Sequence, residues 1–307
     1  MAIKLNFKSK APKVLDLFSG IGGFSLGLSQ AGFLTTQFCE IEPHCRRVLK
    51  KNFPLIPIHK DIKTLTVSQG QYDVMCGGFP CQDISIGGKG VGIGGAKSGL
   101  WKNFRDKINE GRPKYAIIEN VSAILARGLE VVLSDLAEIG YDATWTLYDS
   151  KYFGVPQRRR RVYILAVRDG IKEGADIFDF AGRSTSDCAE RMELVEGNFK
   201  SHFTKTEHGR ELSYFTRQRS DSFAECGVSN TLAKRDYKSA TDFVLREGML
   251  QRVSPRERLA LQGFPTDWFD GCGLTRDEKF TCNGMTVPVV KHIGEAILKF
   301  DAIGKVQ

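Results

Sequence analysis

The sequence lacks the features that mark secreted, membrane-spanning and zinc-stabilised proteins. Its eight cysteines include no C-x-x-C pair and no paired spacing like that of a disulfide framework. No run approaches the roughly 20 apolar residues that span a bilayer, and the basic start of the chain, 1–13, has no apolar signal-peptide core. These absences predict a cytoplasmic protein with free thiols, no bound metal and no membrane contact.

The chain does contain enough apolar sequence for a large core, together with an excess of positive charge. With 307 residues, 41% of them hydrophobic, it can form one large domain and a smaller one. The net charge is +8, and basic residues are concentrated at Arg158-Arg159-Arg160-Arg161 and between 200 and 238. Such clusters favour a polyanionic partner, and nucleic acid is the leading candidate.

The first half of the chain has the rhythm of a doubly wound α/β sheet, because short β-branched runs alternate with amphipathic stretches between about 13 and 167. We predict strands at 14–18, 35–39, 72–76, 115–118, 144–148 and 162–167, and helices at 24–31, 44–52, 100–110, 130–139 and 289–300. Between about 169 and 247 the sequence becomes polar and rich in Ser, Thr and Arg. It therefore predicts a catalytic domain made of 1–168 and 251–307, and a smaller domain at 169–250.

Cys81 follows the glycine-rich exit of a predicted buried strand, Cys76-Gly77-Gly78-Phe79-Pro80. This position is the carboxyl edge of the sheet, where open α/β proteins hold their ligands. The glycines before Cys81 leave room for a substrate beside its thiol. This arrangement indicates that Cys81 is a nucleophile. The alternative for a single cysteine is a small buried apolar side chain.

Other polar residues are predicted at the same edge. The loop Ser19-Gly20-Ile21-Gly22-Gly23 follows the first strand, and Glu40 follows the second, so backbone and carboxylate together favour a nucleoside cofactor. Asp61-Ile62 fits recognition of an adenine, and equally fits a helix N-cap. The stretch 85–99 is rich in glycine, and its composition fits either a mobile lid or a plain linker.

Two further predicted strands contribute charged residues to this edge. Glu119 ends a predicted apolar strand. At this position it is either an acid that donates a proton to a ring nitrogen or the ion-pair partner of an arginine. The arginine run directly precedes another strand, so alternation sends Arg159 and Arg161 to one face. Arg158 and Arg160 then remain for phosphate or solvent.

Taken in order, these motifs resemble the DNA (cytosine-5)-methyltransferases of bacterial or phage type. The matching segments run from Asp16-Leu17-Phe18-Ser19-Gly20-Ile21-Gly22-Gly23-Phe24 through Gly78-Phe79-Pro80-Cys81-Gln82 and Glu119-Asn120-Val121 to Gln157-x-Arg159-x-Arg161. The resemblance covers about 14–300. It implies a Rossmann-like methyltransferase sheet, with the variable target-recognition domain of the family at 169–250.

The resemblance also implies the role of each site residue. The S-adenosylmethionine pocket would comprise Phe18, Gly20, Ile21, Gly23, Glu40, Ile41, Asp61, Ile62, Gly78, Pro80 and Leu100. Cys81 would be the nucleophile, Glu119 would contact N3 and the exocyclic amine of cytosine, and Arg161 with Arg159 would hold its carbonyl oxygen. Duplex DNA would be bound by Gln82, Ser85, Lys89, Arg159 and Thr231, the last within Asn230-Thr231-Leu232.

One segment departs from the family, which has Gly-Asn-Ser/Ala-Val where this chain reads Asn283-Gly284-Met285-Thr286-Val287-Pro288. Met285 replaces the family asparagine, and Thr286 is the substitute ligand for the cofactor. We expect a monomeric, sequence-specific DNA cytosine C5 methyltransferase of a restriction-modification type. The alternatives are an RNA cytosine methyltransferase, a catalytically silent DNA-binding homologue and an NAD-dependent oxidoreductase.

Overall fold

The computed structural model describes residues 11–80, 99–171, 177–178, 214–216, 224–226, 229–232, 242–246, 249–282 and 284–303. The chain divides into two compact units. The first comprises Met1–Tyr148, Arg160–Arg183 and Val290–Gln307, and the second comprises Asp149–Arg159 and Ser184–Val289. This division differs from the predicted domains in the assignment of 149–159, 169–183 and 251–289. The functional boundaries stay a prediction.

The first unit is built on a seven-stranded sheet with the order β3-β2-β1-β4-β5-β7-β6. Its strands are β1 (Lys13–Leu17), β2 (Leu34–Cys39), β3 (Ile58–His59), β4 (Val74–Gly77), β5 (Tyr115–Val121), β6 (Tyr141–Asp149) and β7 (Arg160–Arg168). Neighbours from β3 to β5 pair in parallel, whereas β7 pairs antiparallel with β5. The predicted doubly wound α/β fold is confirmed, and the antiparallel strand is an addition that the sequence did not reveal.

The described helices of eight or more residues in the first unit match the predicted ones to within a few residues. In chain order, the described α-helices of both units are α1 (Gly23–Ala31), α2 (Pro43–Asn52), α3 (Leu100–Gly111), α4 (Ile124–Arg127), α5 (Leu129–Glu138), α6 (Pro255–Ala260), α7 (Arg276–Thr281) and α8 (Val287–Ile303). Helix α1 ends at Gly32, whose left-handed conformation suits a helix C-terminus. No described helix is long and apolar enough to cross a membrane.

The core of the first unit lies between the sheet and its helices. One cluster joins the strands to α3 and α5, and includes Leu17, Met75, Trp101, Ile118 and Val132. Helix α8 packs against α1, because a Cβ added at Gly294 would lie 2.8 Å from the Cβ of Ala31. The sheet therefore carries helices that hold its strand ends in fixed positions.

The second unit contains an antiparallel sheet with the order β11-β10-β8-β9. Its strands are β8 (Tyr214–Thr216), β9 (Ala224–Cys226), β10 (Asp242–Arg246) and β11 (Met249–Arg252). Helix α6 begins with a capping box between Ser254 and Glu257, and α7 with one between Thr275 and Glu278. These reciprocal hydrogen bonds satisfy amide groups at the start of two short helices.

Candidate active site

The topology of the first unit brings four functional segments to one edge of the sheet. Strands β1, β4 and β5 are parallel neighbours, so the loops that follow them leave from the same edge. Strand β7 runs the other way and begins at that edge, where Arg161 lies opposite Val121. The antiparallel pairing thus places an arginine beside the carboxyl end of β5.

The loop after β1 is held in conformations that are rare for side-chain-bearing residues. Phe18 has a φ of 52°, and Gly22 has a φ of 87°. A Cβ at Gly22 would lie 2.8 Å from a ring carbon of Phe53. Inside the loop, the Ser19 hydroxyl donates to the carbonyl of Asp16 at 2.6 Å. Backbone strain of this kind at a strand end is typical of a ligand-binding loop.

Glu40 connects the loop after β1 to the loop after β2. Its carboxylate is buried; Oε2 accepts a hydrogen bond from the Gly20 amide at 2.6 Å, and Oε1 accepts one from the Glu42 amide at 2.8 Å. A buried carboxylate directly after the second parallel strand occupies the position from which an acid binds the ribose in nucleoside-binding sheets. The residues present therefore fit the nucleoside part of a cofactor.

Asp16 is a buried acid that sequence reasoning missed as part of this loop. It lies in β1 with no exposed surface, and its Oδ2 accepts from the Ser25 hydroxyl at 2.6 Å and from the Ser25 amide at 3.2 Å. Ser25 lies in the first turn of α1, whose N-cap residue, Gly22, has no side chain. Asp16 thus caps the helix from the strand beneath it. Burial raises the pKa of Asp16 to about 8, although the hydrogen bonds from Ser25 act in the opposite direction.

At the other end of the edge, Glu119 and Arg161 form a largely buried ion pair. The Nε atom of Arg161 lies 3.0 Å from Oε1 of Glu119, and the two side chains are 14% and 10% exposed. Arg158 and Arg160 are exposed, as the predicted alternation requires. Two largely buried opposite charges depend on each other, since removing one leaves the other without its counter-charge.

Asn120 ties the end of β5 to the segment that leads into Cys81. Its Nδ2 donates to the carbonyl of Phe79 at 3.4 Å, and its Oδ1 accepts from the Val121 amide at 2.8 Å. The Phe79-Pro80 step is thereby attached to the strand that carries Glu119. Cys81, Gln82, Ser85, Lys89 and most of the predicted lid lie outside the described residues.

Two other cysteines near this edge are poor nucleophiles. Burial raises the pKa of Cys39 to about 12, and nearby Glu40 and Asp61 add to the effect. Burial likewise raises the pKa of Cys76 well above its ordinary value, with Asp16 contributing. Because the thiolate is the reactive form, neither of these buried thiols is suited to the role of a nucleophile.

The remaining predicted cofactor residues differ in exposure. Asp61 caps the 3₁₀ turn at Ile62–Thr64, its Oδ1 accepting from the Lys63 amide at 3.0 Å, so the N-cap interpretation of this residue is correct. Its contact with an adenine stays a prediction. Ile62 is buried and Ile21 is wholly buried, whereas Ile41 is 58% exposed. Phe18 and Leu100 are partly buried against the main core cluster, and Gly20, Gly78 and Pro80 are half-buried.

Three predicted site residues have their hydrogen-bonding partners within the second unit. The Arg159 amide donates to Oδ1 of Asp149 at 3.1 Å, and its guanidinium Nη2 donates to the carbonyl of Gly284 at 3.4 Å. The Thr231 hydroxyl donates to the carbonyl of Arg158 at 2.8 Å. Thr286 is fully buried, with its hydroxyl 2.8 Å from that of Ser150.

Comparison with known proteins identifies the family of this site. Residues 12–299 match the family described as C-5 cytosine-specific DNA methylase. The chain belongs to this family. It is 33% identical over 298 residues to the Type II methyltransferase M2.BsuMI of Bacillus subtilis, covering 92% of this chain and 74% of that protein. It is 27% identical over 318 residues to the Type II methyltransferase M1.ScrFI of Lactococcus lactis subsp. cremoris, covering 96% and 80%.

A solved structure agrees with this assignment at the level of the fold. The Dnmt2 methyltransferase of S. pombe superposes with a TM-score of 0.63 at 21% identity, over 94% of this chain and 98% of that one. The Rossmann-like methyltransferase fold is therefore confirmed. The enzyme class expected from the sequence, DNA (cytosine-5-)-methyltransferase, is confirmed by the family match and the named relatives.

In this methylase, the groups that sequence reasoning missed are those whose role depends on tertiary contacts. Asp16 reads as an isolated acid in an apolar strand, and its position between Val14 and Leu17 was the signal available. Asn120 was assigned only as part of a motif. Gly77 permits a close approach of β4 to β1, since a Cβ there would lie 2.5 Å from the Leu17 carbonyl oxygen.

Proposed function

We propose that this methylase transfers a methyl group from S-adenosylmethionine to carbon 5 of a cytosine in specific sites of duplex DNA, through a covalent intermediate on Cys81. The observation that supports this most directly is the buried Glu119–Arg161 ion pair at the sheet edge. Asn120 joins the same strand to the Phe79-Pro80 step that precedes Cys81. An acid, a cation and a thiol in this order suit addition to a pyrimidine ring.

The chemistry requires a nucleophile because carbon 5 of cytosine is a weak nucleophile by itself. The Cys81 thiolate adds to carbon 6, and Glu119 stabilises the ring at N3, which makes carbon 5 electron-rich. S-adenosylmethionine supplies an electrophilic methyl group when bound. Carbon 5 takes the methyl group, and S-adenosylhomocysteine is the leaving group. A base then removes the proton from carbon 5, and the freed electron pair re-forms the bond between carbons 5 and 6 as the Cys81 thiolate leaves. Arg161 orients Glu119 throughout and balances its charge.

The cofactor side of the proposal is supported by Glu40 and the strained loop at Phe18. Glu40 is a buried acid that follows β2 and aligns two amides, a placement that suits a ribose, and the backbone at Gly20 approaches without a side chain. The other predicted pocket residues would complete the site around the adenine and the methionine chain. Met285 replaces an asparagine of the family, and the adjacent Thr286 is directed at Ser150.

The DNA side of the proposal requires the target base to leave the duplex. A stacked cytosine cannot reach a pocket at a sheet edge, and base flipping costs a few kcal/mol, which contacts to the extruded nucleotide repay. The target-recognition role of 169–250, the DNA contacts of Gln82, Ser85, Lys89 and Thr231, and a monomer acting in the bacterial cytoplasm all belong to this proposal. The Type II names of the relatives favour a modification enzyme of a restriction-modification system.

The direct test is transfer of radiolabelled methyl groups from S-adenosylmethionine to mixed-sequence duplex DNA. We expect wild-type protein to label DNA and Cys81→Ser to lose transfer, while DNA binding by Cys81→Ser persists. Cys272→Ser is the matched control, because this cysteine is also free but is buried in the second unit, with its thiol near the Trp268 carbonyl. Turnover by Cys81→Ser would show that the nucleophile is another residue.

A second measurement traps the intermediate. Duplex DNA with 5-fluorocytosine at the target position cannot lose a proton from carbon 5, so the adduct should persist as a crosslink to Cys81. The same assay with RNA separates the alternative substrate. Labelling of RNA without labelling of DNA would overturn the proposal.

A further inference from the structure

Arg159 is fixed on both sides of its own backbone by two consecutive residues, Asp149 and Ser150. Its amide donates to Oδ1 of Asp149 at 3.1 Å. Its carbonyl accepts from the Ser150 amide at 3.1 Å and from the Ser150 hydroxyl at 3.2 Å. The Cα atom of Arg159 therefore has little freedom to move relative to Ser150.

The Ser150 hydroxyl extends this contact to the segment that departs from the family pattern. It lies 2.8 Å from the hydroxyl of Thr286, which is the donor, because Ser150 gives its one hydroxyl proton to the Arg159 carbonyl. The carbonyl of Gly284, two residues before Thr286, accepts from Nη2 of Arg159 at 3.4 Å. Arg159, Ser150, Thr286 and Gly284 thus form a closed ring of contacts, which we call the Arg159 ring.

Gln262 anchors the Arg159 ring to the body of the second unit. Its Oε1 accepts from the Gly284 amide at 2.6 Å, and its backbone carbonyl accepts from the Val287 amide at 3.0 Å. Ser150 and Gln262 are 2% exposed, and Thr286 is not exposed at all. Hydrogen bonds between such buried groups are costly to break, because water does not replace the lost partner.

This geometry gives Thr286 a different task from the one its sequence position suggests. A cofactor ligand must present its polar atom to the ligand, whereas the Thr286 hydroxyl is buried against Ser150. The ring instead links the 284–287 segment to both the backbone and the guanidinium of Arg159.

We propose that Ser150 and Thr286 are positioning residues for Arg159, and that Thr286 acts through Ser150 rather than on S-adenosylmethionine. This inference rests on the proposed function, in which Arg159 contributes to holding the target cytosine. It adds to that function by giving the segment 284–287, which differs from the family pattern, a role in holding the target cytosine rather than the cofactor. The prediction that Thr286 binds the cofactor is its direct rival.

Steady-state kinetics on duplex DNA separate the two roles. Thr286→Val should lower kcat about fivefold, the loss expected from one buried hydrogen bond. Ser150→Ala also removes the contact to the Arg159 carbonyl and should lower kcat at least as much. Neither variant should change KM for S-adenosylmethionine. Thr286→Ser retains the hydroxyl and should restore kcat. The double variant should be no worse than Ser150→Ala alone, because that variant already removes the contact with Thr286.

A control isolates positioning from general destabilisation. Ser254→Ala removes a helix cap of the same unit and should lower the melting temperature while leaving kcat unchanged. In an Arg159→Lys background, Thr286→Val should add no further loss of kcat, since the guanidinium that the ring holds is absent. A full additional loss in that background would overturn the proposal.

Cofactor binding supplies a readout that does not depend on turnover. The Kd of S-adenosylhomocysteine, measured by calorimetry, should be the same for wild type and Thr286→Val. A weaker Kd with unchanged kcat would assign Thr286 to the cofactor and overturn the proposal. If wild-type protein transfers no methyl group, the proposed function fails separately. The ring is then tested by melting temperatures alone, and additive losses for Ser150→Ala and Thr286→Val would refute it.

Discussion

The two ends of the carboxyl edge are built in different ways. At the β1–β2 end, backbone amides point at the buried acids Asp16 and Glu40, and glycines keep space free. At the β5–β7 end, the structure depends on two charged side chains, Glu119 and Arg161, that neutralise each other. The first end is sensitive to added atoms, whereas the second is sensitive to lost charge. This difference corresponds to the proposed tasks of holding a neutral nucleoside and of polarising a base.

Removing the cation should break the β5–β7 end most severely. Arg161→Ala leaves the Glu119 carboxylate largely buried without its ion partner, and we expect kcat to fall about 10²- to 10³-fold. The measurement is single-turnover methyl transfer at saturating DNA. Arg160→Ala is the matched control, because its exposed neighbouring guanidinium should be dispensable for the chemical step. Equal rates for the two variants would contradict the assignment of roles.

Adding one carbon at Gly77, beside β1, should disrupt the part of the edge that lies away from the Glu119–Arg161 pair. In Gly77→Ala the new Cβ would lie 2.5 Å from the Leu17 carbonyl oxygen, so β1 and β4 must move apart. We expect the free energy of unfolding in urea to fall by about 2–3 kcal/mol, together with loss of cofactor binding. Gly70→Ala is the control, since a Cβ there meets nothing within 4 Å and the cost is only the left-handed backbone, about 1 kcal/mol. If Gly77→Ala is as stable as Gly70→Ala, then β1 and β4 can move apart at no cost in the free energy of unfolding.

The smallest expected effect concerns the buried acid of β1. The pKa of the Asp16 carboxyl is raised to about 8 in the folded protein. Between the ordinary pKa of an aspartate and pH 8, the folded state therefore keeps a proton that the unfolded chain has released. Stability from this group is therefore greatest at low pH and is lost as the pH rises towards 8. Between pH 6 and 7 the loss should be about 1 kcal/mol.

Replacing that acid by its neutral isostere should remove this slope. Asp16→Asn keeps an oxygen that can accept from Ser25 but has no proton to release. Urea unfolding at pH 6 and pH 7 measures the comparison, with Asp73→Asn, an exposed acid next to β4, as the control. An unchanged pH slope in Asp16→Asn would show that Asp16 is ionised in the folded protein.

Sequence patterns predicted the strands of the first unit other than β3, and its helices other than α4, because short buried apolar runs alternate there with amphipathic stretches. The alternation within the arginine run correctly predicted that Arg158 and Arg160 are exposed, since it follows from strand geometry alone; that Arg159 and Arg161 share one face stays a prediction. The direction of β7 was not predictable, because nothing local to residues 160–168 states which neighbour it pairs with. Its antiparallel pairing with β5 is what brings Arg161 to Glu119.

The missed parts of the site share a physical cause. Asp16, Asn120 and Ser150 act through partners 9, 41 and 136 positions away in the chain, distances at which sequence patterns carry little information. Asp61 shows the reverse case, in which a local hydrogen bond to Lys63 confirmed the simpler of two interpretations. Local chemistry was therefore predicted better than the contacts that orient it.

Helix α8 delays completion of the catalytic sheet until late in synthesis. Gly294 lies against α1, and the Tyr115 hydroxyl donates to Oδ1 of Asp301 at 2.6 Å. Until residues 287–303 emerge from the ribosome, the part of α1 that packs on Gly294 is uncovered, and the nascent chain is exposed to chaperones and proteases. We therefore expect truncations within this helix to reduce the yield of folded protein before they alter turnover by the molecules that do fold.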